Sequence, residues 1–189
     1  MKIALNAHLL SAQTGYRSAG IHGYIYHTLR CLPDAAQDAE FDVLTGAGNP
    51  PEHPRMHIHR SRFSTANPIR RIIWEQVIQR SVLRKLAPDL YHGMAFVAPM
   101  GLHIPSVVTV YDLSFIRYPA GLSTARRLYL KLFTRQSCNQ AARVIAISQS
   151  TARDLVTLFN VPESKIDVAL PGVMDVFKPL DAESVARFR

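Results

Sequence analysis

Four short stretches combine residue types that can do chemistry with a position directly behind an apolar run. His92-Gly93 follows Asp89-Leu90-Tyr91, and Tyr111-Asp112 follows Val107 to Val110. Ser148, Ser150 and Thr151 follow Val144 to Ile147, and Thr14-Gly15-Tyr16-Arg17, with Gly20 and Gly23, follows Lys2 to Ala7. An imidazole, a phenol and a carboxylate can hydrogen-bond sugar hydroxyls or move protons. Small residues opening a helix let backbone N–H groups approach a phosphate, whose charge the helix dipole favours. Each set also has a plainer explanation. The glycines form neither a GxGxxG nor a Walker loop and have no acidic residue at the distance a dinucleotide fingerprint needs, so a simple turn accounts for them as well. His92 could cap a strand and Asp112 organise its own loop. Ser148, Ser150 and Thr151 suit a helix cap better than a ligand contact.

The elements that must position these residues alternate in type. Apolar runs at Lys2–Ala7, Phe41–Thr45, Met56–His59, Asp89–His92, Ser106–Val110, Val144–Ile147 and Ile166–Leu170 predict strands. Between them, Ile21, Ile25, Leu29 and Leu32 predict a helix stopped by Pro33. A second helix opens at Pro68, carries Ile69, Ile72, Ile73, Gln76, Val77, Arg80 and Leu83 as its mostly apolar stripe, and stops at Pro88. Ser123 caps a third helix running to about Ala142, and a fourth begins at Ser148 with Thr151 and Asp154 spaced like a capping box. Alternating strands and helices predict a doubly wound parallel α/β sheet, whose ligands bind beyond the carboxyl ends of the strands. After Leu170 the pattern breaks into Pro171, Gly172, Phe177, Lys178 and Pro179, so residues 1–170 read as one domain and 171–189 as a linker.

Composition narrows the function classes. The chain has 189 residues, 48% of them hydrophobic and 19% charged, which suits one folded domain with a full core. No apolar run approaches the roughly 20 residues that span a bilayer. Cys31 and Cys138 are far apart and in no CxxC pair, which predicts neither disulfide nor structural zinc and suits a reducing cytoplasm. His57 and His59 alternate on one strand face with His53 nearby, but no third metal ligand is evident and an exposed edge strand explains them better. The net charge of +8 favours anionic partners. Arg70, Arg71, Arg80, Arg84 and Lys85 on the second helix could rest on anionic lipid headgroups or form a solvated face. No helix-turn-helix, RNP-like motif or zinc finger points to nucleic acid.

In order, Tyr16-Arg17-Ser18-Ala19-Gly20-Ile21 with Tyr24, Asp89-Leu90-Tyr91-His92 and Val107 through Phe115 resemble the amino-terminal half of glycosyltransferase family 4. The match continues through Arg126-Arg127-Leu128-Tyr129, Arg143 through Ser148 with Thr151, Asp154 and Leu155, and Val161 through Ile166 to Pro171-Gly172-Val173 and Phe177-Lys178-Pro179. The resemblance implies one half of a GT-B architecture, two Rossmann-like domains facing a cleft. The half present here would hold the acceptor, and a carboxyl-terminal half beyond Arg189 would grip the donor. It implies transfer of a sugar from a nucleotide diphosphate sugar to a glycan or lipid-linked acceptor, with retained configuration, no cofactor and no obligatory metal. The setting implied is surface polysaccharide or glycolipid synthesis in the cytoplasm, with peripheral contact to the inner face of the plasma membrane. Tyr111 and Asp112 become the expected catalytic residues, and Gly15, Tyr16, Arg17 and Gly20 the loop against the donor diphosphate. His92, Gly93, Ser148 and Thr151 become the acceptor side. Tyr111 stands where the family usually carries histidine. Tyrosine, with an ordinary pKa of about 10, can donate a hydrogen bond but cannot be a cationic imidazole near neutral pH. From another class, a non-catalytic module binding a phosphorylated ligand or carbohydrate would use the same strand ends.

Overall fold

The computed structural model describes residues 1–11, 20–61, 68–118, 120, 122–173, 177–179, 181 and 186–187. The strands are β1 (Lys2–Asn6), β2 (Glu40–Thr45), β3 (Met56–Arg60), β4 (Leu90–Gly93), β5 (Ser106–Val110), β6 (Arg143–Ala146) and β7 (Ile166–Val168). They form one sheet in the order β3-β2-β1-β4-β5-β6-β7, with every neighbouring pair parallel. The fold is therefore the expected Rossmann-like, doubly wound α/β sheet. Chain order reverses between β1 and β4, which makes their carboxyl ends the switch point where such sheets leave a crevice.

Side-chain alternation divides the core into two layers. Ile3, Leu5, Phe41 and Val43 face one side and pack with Ile25 and Leu29 of α1 (Ile21–Ala35). Ala4, Leu44, Tyr91, Val108, Val110 and Val144 face the other side. There they meet the π-helical turn Trp74–Ile78, which continues α2 (Pro68–Ile73), together with α3 (Gln79–Leu86), α5 (Thr124–Gln140) and α6 (Gln149–Phe159), through Trp74, Leu83, Cys138, Leu155 and Phe159. Burial on both faces explains why these strands read as unbroken apolar runs. β3 lies at a sheet edge, with His57 exposed near Glu40 (3.4 Å) and His59 bonded to Asp42 (2.6 Å). Among the described residues no cluster of His, Cys, Asp and Glu could hold a metal, and no helix is long and apolar enough to cross a membrane.

Three local features differ from expectation. α1 does not stop at Pro33 but continues to Ala35. The Arg55 guanidinium donates to the carbonyls of Pro33, Ala36 (3.0 Å) and Gln37, supplying partners at and just past the end of α1 that the helix itself cannot. The second predicted helix contains the π turn, and the extra residue per turn rotates its buried stripe. Trp74, Glu75, Gln79 and Leu83 face inward, whereas Ile73 and Val77, placed on the apolar stripe by a 3.6 period, are 50% and 61% exposed. A four-residue helix, α4 (Ser114–Arg117), follows β5 where a loop was expected.

Candidate functional site

Beyond β5 the chain runs through Tyr111 and Asp112 into α4, and beyond β6 it runs through Ser148 into α6. Between them opens a cleft of about 680 Å³, whose walls include Tyr111, Asp112, Ser114, Arg117, Ser148 and Thr151. Asp112 is exposed, and its Oδ1 accepts the Ser114 N–H at 2.8 Å, which starts α4 and aims the carboxylate along the rim. Ser148 is the α6 N-cap: its Oγ accepts the Thr151 N–H at 3.1 Å. Thr151 is buried, and its hydroxyl donates to the Tyr111 carbonyl at 2.8 Å, tying α6 to the end of β5.

Asp154 does not complete a capping box. It forms a two-point ion pair with Arg117 of α4, with Nε to Oδ2 at 2.8 Å and Nη2 to Oδ1 closing the fork. Hydrogen bonding to Arg117 holds the mostly buried Asp154 carboxyl below its usual range. Arg117 and Asp154 were missing from the sequence-based site. Their separation by 37 positions leaves no local signal.

Tyr111 is 5% exposed, and its hydroxyl donates to the Met94 carbonyl at 2.8 Å. Its ring meets Tyr24 of α1 edge-on at 5.3 Å and Phe96 at 5.6 Å. Burial, with Tyr24 alongside, pushes the phenol well above its ordinary pKa, so this residue is a neutral hydrogen-bond donor across the physiological range. Phe96 holds a left-handed backbone (φ 59°), rare for a bulky residue, pinned by its N–H on the Thr109 carbonyl (2.8 Å) and by Phe115.

His92 and Gly93 lie one strand away from the cleft, paired with Val107 and Val108 of β5. His92 Nε2 is 2.8 Å from Thr109 Oγ1, and burial pushes the imidazole down to about 4, so it is neutral near pH 7. A Cβ at Gly93 would stand 2.9 Å from the Val97 carbonyl oxygen, so close backbone approach explains the glycine. Gly20 caps α1 with φ 64° in open space. Gly15, Tyr16 and Arg17 lie outside the described residues. The ends flanking that stretch are tied, because the Ser11 N–H donates to His22 Nδ1 at 2.7 Å. Of the expected residues, then, Tyr111, Asp112, Ser148 and Thr151 come together at one cleft, while His92 and Gly93 stand beside it. Hydroxyls, an exposed carboxylate and cationic Arg117 and Arg153 around the cleft can engage a polyhydroxylated or anionic ligand.

Comparison with known proteins gives the lineage. The sequence model of Glycosyltransferase Family 4 matches residues 19–175. No curated protein sequence matches the chain. Among solved structures, the apo form of the lipopolysaccharide outer core galactosyltransferase WaaB is 13% identical with a TM-score of 0.49, over 92% of this chain and 46% of its own. A glycosyltransferase from Rickettsia africae ESF-5 is 14% identical with a TM-score of 0.48, over 99% of this chain and 48% of its own. The chain spans about half the length of these two proteins. The chain belongs to glycosyltransferase family 4 and carries the family's amino-terminal, Rossmann-like domain.

Proposed function

We propose that this chain is the acceptor-side domain of a retaining glycosyltransferase. The enzyme moves a sugar from a nucleotide diphosphate sugar to a glycan or lipid-linked acceptor in surface polysaccharide or glycolipid synthesis, at the cytoplasmic face of the membrane. Family membership across residues 19–175 carries the reading, and the polar cleft beyond β5 and β6 supports it. In the reaction the bond from the anomeric carbon to the donor phosphate oxygen breaks, and the nucleoside diphosphate leaves with the electron pair. The acceptor oxygen bonds to that carbon with the same configuration, while its hydroxyl proton passes to the departing diphosphate.

Residues 1–170 form the acceptor-side unit and 171–189 lead toward a donor-binding lobe. Asp112 reaches the reacting sugars from the rim, with Ser114 N–H fixing its orientation. Ser148 and the first turn of α6 border the acceptor. Tyr111 supports the site from behind rather than touching charge, since its hydroxyl is bonded to Met94. The family resemblance assigns Gly15, Tyr16, Arg17 and Gly20 to the donor diphosphate.

The test is transfer from a panel of UDP- and GDP-sugars by an enzyme carrying this domain. Asp112→Ala is expected to lower kcat/KM by at least about tenfold. Because Asp112 is exposed and its bond to Ser114 is local, the same change is expected to cost under about 1 kcal/mol of stability. A normally folded, fully active Asp112→Ala enzyme would remove the residue from the reaction, and failure of every sugar donor would remove the activity.

A further inference from the structure

We propose that the outer surface of α2, the π turn, α3 and α5 is a docking face for an anionic phospholipid bilayer. This locates the membrane contact proposed above and does not depend on the transfer chemistry. α2–α3 and α5 pack on the same side of the sheet and are bridged by the Tyr129 hydroxyl donating to Glu75 at 2.9 Å. That bond turns Glu75 inward, where it is 7% exposed. It is the only acidic residue in either helical segment, 68–86 or 124–140. Every charge these helices show to solvent is therefore positive, among them Arg84 on α3 and Arg127, Lys131 and Arg135 on α5.

Apolar side chains lie between those cations. Ile73 and Val77, one turn apart, are 50% and 61% exposed, and Leu128 and Leu132, also one turn apart, are 54% and 53% exposed. The π turn brings Ile73 and Val77 outward, since a regular helix would have put them on the buried stripe. Cations that meet headgroup phosphates, beside aliphatic groups that enter the acyl boundary, are the two ingredients of an interfacial surface. Duplex nucleic acid would satisfy the arginines and leave the four aliphatic side chains in water, so the bilayer is the better complement.

The test is flotation of the purified chain with phosphatidylcholine vesicles and with phosphatidylcholine–phosphatidylglycerol vesicles. Binding is expected only to the anionic ones. Arg127→Glu/Lys131→Glu is expected to weaken it at least about 25-fold, near fivefold for each basic residue withdrawn from the surface. Arg30→Glu, on α1 across the sheet, changes net charge as much as Arg127→Glu alone and is expected to leave binding within about twofold, against about fivefold for Arg127→Glu. Leu128→Ser/Leu132→Ser is expected to weaken binding several-fold with the charge intact. Equal loss for Arg30→Glu and Arg127→Glu, unchanged binding by the leucine variant, no preference for anionic vesicles, or capture of duplex DNA in preference to vesicles would each overturn the proposal. In an enzyme carrying this domain, transfer activity on a soluble acceptor should survive all of these variants, which separates failure of this surface from failure of the catalytic reading.

Discussion

Acidification should weaken this fold through His92 in a window set by the structure. The native imidazole, largely buried beside Thr109, stays neutral until about pH 4, while in the unfolded chain it takes a proton near 6.5. Between these values the unfolded state binds more protons than the native state, so stability is fully present above 6.5 and is lost as pH falls. At 1.36 kcal/mol per pH unit, the whole gap from 6.5 to about 4 amounts to about 3 kcal/mol, of which about 2.5 is gone by pH 4.5. His22, also held below its usual pKa by burial, adds a loss of the same sign. The Asp154 and Asp167 carboxyls, held low by Arg117 and Arg143, give up their share only at more acid pH. Urea unfolding of wild type and His92→Asn at several pH values from 7 to 4.5 isolates the histidine, because the other groups cancel in the difference. The wild type should lose about 2.5 kcal/mol more than the variant over that range. A pH-independent difference, or a native His92 ring titrating above pH 6 by NMR, would refute the buried, neutral placement.

Two further substitutions test the bracing of the strand ends. Tyr111→Phe removes the donor to the buried Met94 carbonyl and should cost about 1–2 kcal/mol, read by urea denaturation, or a drop of about 2–8 °C in Tm. Tyr111→His, which installs the common family residue, should be less stable still, since the shorter ring gives up packing on Tyr24 and Phe96; a more stable variant would contradict the contacts of the phenol. Gly93→Ala should cost roughly 1–3 kcal/mol because its methyl meets the Val97 carbonyl oxygen, and a neutral result would mean that the Met94–Val97 turn yields easily.

The sheet was legible because a strand buried on both faces leaves a continuous apolar run, and Ser106–Val110 and Phe41–Thr45 have no other economical use. The helix starts at Ser123 and Ser148 were legible for a local reason, since each side chain accepts an N–H three residues on. What the sequence hid is non-local. Nothing near Pro33 announces that Arg55, 22 positions away, will satisfy the end of that helix. The π turn at Trp74–Ile78 defeats any fixed period, so the stripe through Ile73 and Val77 was assigned to the wrong side. The site divides the same way. Asp112 and Ser148 could be found from their positions after apolar runs, but the Arg117–Asp154 pair exists only once α4 and α6 face each other.

The polar residues at the strand ends fall into two physical groups, and the division bears on how an active site here must be read. His92 with Thr109, Thr151 with the Tyr111 carbonyl, and Tyr111 with the Met94 carbonyl are cross-braces between neighbouring elements, each a short, largely buried hydrogen bond. Asp112 differs: it is exposed, and the bond that orients it reaches only two residues along the chain. A braced residue contributes to transfer by holding the rim in place, so its loss should appear first in stability and only then in turnover. Asp112 should show the reverse order. Measuring both quantities for each variant therefore tests whether Asp112 meets substrate, as proposed, while the others position it, and a uniform fall of stability and rate across all of them would mean that the rim acts as a single unit.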